Sequence, residues 1–407
     1  MSGPVTYLTG TEHEHTIDPE TLHEVPTRPN DLVVWVGRNR RAPVPTEPAA
    51  ALLHHTELGV AARMVGALSL AERELAAAAE LAGRIAPTAA LRAGLRLAHV
   101  HQWQGRFAEA DAEFARCVAA ATTPSDRAFA HQHAGKSAYE TGDFETAATH
   151  FAVALRLREG GDPDLVASSA LAVDATDACR TAVAVAAELH RLVPGGHHAT
   201  AAALRAANAL RERPDHLGPL VELRTLLPAG PVSKSVVAEL FRYSEVVDTA
   251  LADLVATGWL TDTGTAFAAT PKCHDLLANL VVAMDTALGR QWERPALTAT
   301  LTTVVRRAAG TSDGPVFDAL AGANPRGGHA VRLFELCNTL RHHRADAHAA
   351  AWRAAGLSAD AVRDLPDDDP VRREIEAATD RVASRPYRPL STADRAELVT
   401  QLGRLPR

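Results

Sequence analysis

SEVVDTALADLVATGWL, residues 244–260, carries the spacing of an amphipathic helix together with an acidic outer face. Val247, Leu251 and Leu254 recur at helical intervals and are expected to face a core. Ser244 stands where an N-cap belongs. Gly258 stands one residue past the helix, where a left-handed conformation closes it. The outward positions are Glu245, Asp248, Thr249 and Asp253, with no lysine or arginine among them.

The flanking sequence sets this helix in a recognisable order. LGPLVELRTLLPAG (217–230) reads as one helix, with Leu220, Leu223, Leu226 and Leu227 on its apolar side. PVSKSVVAELF (231–241) reads as a second, with Pro231 and Ser233 as start signals. After the quoted helix, WLTDTGTAFAATP alternates around Asp262-Thr263-Gly264, the chemistry of a hairpin turn. Thr270 and Pro271 then open a further helix over 272–288. Helix, helix, turn, helix, hairpin, helix resembles the MarR-like winged helix-turn-helix, including its Leu-x-x-x-Gly-x-Leu ending at Leu254, Gly258 and Leu260.

That resemblance implies binding of double-stranded DNA, and the residues argue against it. DNA affinity comes mostly from neutralised phosphates. Residues 217–283 offer four basic side chains (Arg224, Lys234, Arg242, Lys272) against seven acidic ones, a surplus of three negative charges. The candidate DNA contacts are Lys234, Arg242, Tyr243, Ser244 and Thr249, with Arg306 and Arg307 brought onto the same face by a homodimer. Two expectations stand: a DNA reader, or a scaffold that has lost its reading face.

Upstream, from about 50 to 195, the chain is helix after helix and it repeats. GRFAEADAEFARCV (105–118) aligns with GDFETAATHFAVAL (142–155) at an offset of 37, matching Gly105, Phe107, Ala110 and Phe114 to Gly142, Phe144, Ala147 and Phe151. A glycine ends one helix, an aromatic enters the next, an alanine permits close approach and a second aromatic fills the groove. These residues resemble the tetratricopeptide repeat, with Ala98 and Gly135 at its small position and Gly94 and His131 where its tryptophan usually stands. The closing proline is displaced to Pro124 in one unit and absent in the other. Helices near 51–66, 68–85 and 163–191 are expected to complete the stack. The resemblance implies a groove for a protein or peptide partner; helices that only dimerise or cover a neighbour are the other reading.

The expected organisation is therefore an N-terminal segment (1–48), a repeat region (49–195), a winged-helix-like region (196–290) and a helical C-terminal region (291–407). LVVWVGR (32–38) reads as a strand, EHEH (12–15) as a solvated tail, and LVPGGHHAT (192–200) as the break that ends the repeats. In the C-terminal region a helix over 292–310 is ended by Gly310, and another runs over 331–358. The second holds RHHRADAHAAAWRAAGL (341–357). There His343, Arg344, Asp346 and His348 resemble the H-R-x-D-x-H spacing of SalK-like actinobacterial helical proteins, which implies a regulatory or small-molecule-sensing role. These four are ligand-pocket candidates. A metal site on His342, Asp346 and His329 and a satisfied polar network that locks helices together are the competing readings. Ser391 and Asp394 form the capping pattern of a last helix, whose LVTQLGRL end is expected to dock on the core.

Composition bounds the rest. The 407 residues are 46% hydrophobic but only 4% aromatic, an alanine-driven bias that favours helix. The fold class expected is mainly α. A net charge of −7 leaves no chain-wide basic footprint for nucleic acid or anionic membrane. Cys117, Cys179, Cys273 and Cys337 lie far apart, which fits a reducing, cytoplasmic setting, and no apolar run reaches membrane-spanning length. No nucleophile–base pair, phosphate-binding glycine loop or telling carboxylate pair is present, so no enzyme, cofactor or metal is expected. The function expected is a transcriptional regulator in which the repeats control the winged helix. The alternative is an interaction adaptor without DNA contact.

Overall fold

The computed structural model describes residues 14–206, 213–244, 246–310 and 314–406. It is mainly helical and divides into two compact units, residues 1–180 and 181–407. Glu12, His13 and Glu245 lie outside the described residues.

The first unit opens with a small antiparallel pair, β1 (His15–Ile17) and β2 (Glu24–Pro26), in the register His15 to Pro26. α1 (Pro29–Asn39) follows, and it corrects the strand expected over 32–38. Pro29 sits in the first turn, and Leu32 and Val36, four residues apart, are the side chains that bury, while Val33 and Val34 stay exposed. Burial beside Leu58 and Leu75 at helical spacing overrides the β-preference of the valines.

Three helix pairs come next: α2 (Pro48–Met64) with α3 (Leu68–Ile85), α4 (Pro87–Trp103) with α5 (Phe107–Ala120), and α6 (Pro124–Glu140) with α7 (Phe144–Arg158). The repeated residues do the work their spacing implied. Gly105 and Gly142 take positive φ at the turns, and Ala110, Phe114, Ala147 and Phe151 are buried. Gly135 has no room for a side chain, since a Cβ there would lie 2.7 Å from Phe151 Cε1.

α8 (Pro163–Ala206) carries the expected break and does not break. Pro194 lies inside it, and the unit boundary falls between 180 and 181 rather than at 195. Proline removes one helical hydrogen bond, to His190. Both residues are exposed there, where water can replace the lost partner, while Leu192 and Val193 on the opposite side are fully buried. Gly196 serves packing rather than termination: a Cβ at that position would sit 2.3 Å from Phe334 Cε2.

In the second unit the helix expected over 217–230 is only α9 (Leu217–Glu222), followed by a 3₁₀ turn at Leu227–Ala229. β3 (Val232–Ser233), α10 (Lys234–Leu240), α11 (Val247–Ala256), β4 (Leu260–Asp262), β5 (Ala266–Ala269) and α12 (Pro271–Leu288) come next. β5 is the middle strand, antiparallel to β3 and to β4. Ser244 does not cap α11, which begins three residues later. Gly258, at φ +72°, closes it, with the Trp259 N–H donating to Leu254 O at 2.8 Å.

α13 (Pro295–Ala309), α14 (Pro315–Gly322), α15 (His329–Ala354), α16 (Ala359–Asp364), α17 (Pro370–Ala383) and α18 (Thr392–Gly403) complete the unit. Its core joins Leu254, Leu277, Trp292, Phe317, Phe334 and Leu402. Arg191 of α8 donates to Leu402 O and Leu405 O, satisfying carbonyls at the end of α18. No helix among the described residues is long and apolar enough to cross a membrane.

Gly196→Ala is expected to destabilise the second unit by about 1–3 kcal/mol, because the added methyl must displace a buried Phe334 ring in a close-packed core. Urea unfolding of the variant against the parent checks this; an unchanged midpoint would contradict it.

Candidate functional site

The two sets of candidates in the second unit meet at one carboxylate. Asp346 projects from α15 onto the start of α14, where Oδ2 accepts the Val316 and Phe317 N–H groups at 3.1 and 2.9 Å. Two of the donors that α14 cannot satisfy internally are thereby occupied. Gly314 leaves the space for this approach, since a Cβ there would lie 2.5 Å from Asp346 Oδ2. The other carboxylate oxygen accepts Arg242 Nη1 at 2.9 Å, and both side chains are more than nine-tenths buried. Arg242 also donates to Glu239 O at 2.7 Å.

Neighbouring bonds fasten the same turn to α15. Tyr243 Oη accepts from Trp352 Nε1 at 3.1 Å and is hydrogen-bonded to His348 Nδ1 at 3.0 Å. Arg353 donates to both carboxylate oxygens of Glu239 at 2.7 and 2.8 Å. Arg344 faces a third direction and donates to Glu376 at 2.9 Å and Asp380 at 2.8 Å on α17. His343 packs edge-on to Phe317, with ring centroids 4.9 Å apart. The four ligand-pocket candidates therefore do not converge on a cavity. His343 and Asp346 tie α15 to α14, Arg344 ties it to α17 and His348 to Tyr243, the pattern of the polar-network alternative.

The DNA-contact candidates differ in their surroundings. Arg242 and Tyr243 are bonded within the unit, and Arg242 is buried. Lys234 donates to Asp262 Oδ2 at 2.8 Å across the hairpin. Ser244 and Thr249 are exposed. The other two cations of the region are engaged as well. Arg224 makes a buried bidentate pair with Glu335, and Lys272 donates to Thr257 O with its ammonium 4.1 Å from the centre of the Trp259 ring.

Burial governs titration around this network. It holds His342 down to about 3 and His343 down to about 4. Burial also lowers His348, against the opposing pull of Glu376. The Asp346 carboxyl is raised by burial, against the Phe317 N–H and Arg242, which favour its charged form.

A second polar cluster, in the first unit, was missed by the sequence reading. Glu24 of β2 accepts Arg63 Nη1 at 2.8 Å and Lys136 Nζ at 2.7 Å, all three side chains being buried. Arg158 donates to Ser169 Oγ at 2.8 Å and Gln132 Oε1 at 3.3 Å. The signal was present in the repeat: Arg96 and His133, and likewise His99 and Lys136, are separated by the same 37 residues as the paired phenylalanines. These four polar residues at matching repeat positions line one cavity.

His342 and His343 stay neutral in the folded chain, whereas an unfolded histidine takes up its proton near pH 6.5. The unfolded state therefore binds more protons below that pH, and stability is expected to fall between pH 6.5 and 5. The loss is about 1.4 kcal/mol per pH unit for each such histidine. Urea unfolding at the two pH values measures the slope, and His343→Leu should flatten it; a slope unchanged in that variant would contradict the assignment. Comparisons with protein-family models, curated proteins and solved structures found no match to the chain.

Proposed function

We propose that the chain is an interaction adaptor: a tetratricopeptide-like helical region that takes a protein or peptide partner, joined to a winged-helix-like region that does not read DNA. What carries the reading is the engagement of every basic residue between 217 and 283. Arg224, Lys234, Arg242 and Lys272 each have a partner within the chain, two of them in buried ion pairs. Withdrawing a buried cation from its carboxylate leaves both desolvated and unpaired, at a cost of several kcal/mol. A phosphate contact by Arg242 would have to meet that cost. Val246, next to α11, is 72% exposed, and an apolar group there suits a protein surface better than a phosphate backbone.

A second reading, the DNA-binding regulator, draws on Lys234 within the winged-helix-like region and on the exposed Arg306 and Arg307 of α13. The pair of Lys234 with Asp262 is exposed, and such pairs are worth about 0–1 kcal/mol, so a phosphate can displace the carboxylate.

The two readings separate on one titration of the full chain with mixed-sequence duplex DNA at about 0.05 M and about 0.2 M salt. The adaptor reading expects no salt-sensitive binding, and Lys234→Glu should change nothing. Binding that weakens steeply with salt and is lost in Lys234→Glu would replace the adaptor reading with the regulator.

A further inference from the structure

The cluster in the first unit holds more positive charge than its own carboxylate answers. Arg63, Arg96, Lys136 and Arg158 line one cavity of about 70 Å³, and Glu24 is the acidic side chain among its lining residues. Arg63, Arg96 and Lys136 against that one carboxylate leave a surplus of two positive charges, with the histidines neutral. Glu24 engages only Arg63 and Lys136. Arg96 makes no hydrogen bond or ion pair among the described residues; its guanidinium lies over the Phe129 ring, 5.6 Å from the centroid. A surplus of this size among buried groups is costly unless an anion offsets it.

The orphaned atoms at the same wall point to the same chemistry. His99 Nε2, His133 Nδ1 and Gln132 Nε2 are buried without a hydrogen-bond partner, on side chains that are each more than nine-tenths buried. The Gln132 nitrogen is a donor, and either imidazole nitrogen becomes one with the appropriate tautomer. Unfilled donors beside surplus cations suit an acceptor-only ligand carrying several oxygens. A cavity of about 70 Å³ suits a compact ion and no large base or ring. Burial holds both histidines well below their usual range, so they would meet the ligand as neutral donors.

We propose that the cavity bounded by Arg63, Arg96, His133, Lys136 and Arg158 is a binding site for a phosphate-type dianion, with the Glu24 carboxylate as its internal competitor. A dianion answers the two-charge surplus better than a carboxylate does, and its oxygens can accept from Arg96 and Gln132 together. β2 brings Glu24 to the site, and Leu22, fully buried against Tyr139 and Phe151, holds the strand pair in place. Entry of the anion would weaken the hold of Arg63 and Lys136 on Glu24. The site is independent of whether the second unit touches DNA.

The test is calorimetric titration of the full chain with inorganic phosphate at constant ionic strength and pH 7.5, with acetate and chloride in parallel. Saturable phosphate binding is expected, stronger than acetate. Arg96→Gln removes a side chain with no internal bond, so folding should be retained, and affinity should fall about tenfold. Glu24→Gln removes the competitor and should tighten binding several-fold; its melting curve reports whether that variant folds, and Arg96→Gln decides the matter if it does not. No saturable phosphate binding, equal binding of acetate, or an affinity unchanged in Arg96→Gln would each overturn the proposal.

Discussion

The Asp346 carboxylate joins three parts of the second unit through buried bonds. One oxygen takes the first amides of α14, the other takes Arg242, and the side chain issues from the middle of α15. An aspartate in that position without its arginine and amides would be a desolvated charge. An arginine without the aspartate would be another. The turn at 241–244 is held by this bond and by the Tyr243, Trp352 and Arg353 contacts around it. A lattice of charge-assisted bonds can fix orientation where apolar packing alone permits sliding.

The functional consequence is an economy of positive charge. The cations between residues 217 and 283 are engaged within the chain. Arg224 answers Glu335, Arg242 answers Asp346, and Arg344 answers Glu376 and Asp380. The first unit shows the opposite balance. Four of its cations line one small cavity that holds a single carboxylate. A scaffold in one unit and an anion-responsive site in the other is a coherent division for an adaptor.

Local chemistry made much of this legible in the sequence. The 37-residue repeat, the hairpin at Asp262-Thr263-Gly264, the closing Gly258 and the Thr270 and Ser391 caps all rest on short-range rules, and each lies where those rules put it. The failures share a cause too, since burial decided against local preference. Residues 32–38 hold three β-branched valines and became helix because Leu32 and Val36 bury together, and Pro194 stayed within a helix because its neighbours Leu192 and Val193 are in the core. The H-R-x-D-x-H string was visible, but its partners were not. Arg242 and Phe317 lie 104 and 29 residues from Asp346, Glu376 lies 32 from Arg344, and no spacing rule reaches them. The cationic cavity was hidden for the same reason, since Glu24 and Lys136 are 112 residues apart.

A double-mutant cycle on Arg242→Ala and Asp346→Ala, read by urea unfolding, tests the structural role of this pair most directly. If the pair is built into the fold, each single change costs about 3–5 kcal/mol and the double variant is little worse than either alone, a large coupling. If instead the two changes add within about 0.5 kcal/mol, the side chains act independently. Arg242 would then be free for a partner outside the chain, and the case against DNA would lose its main support.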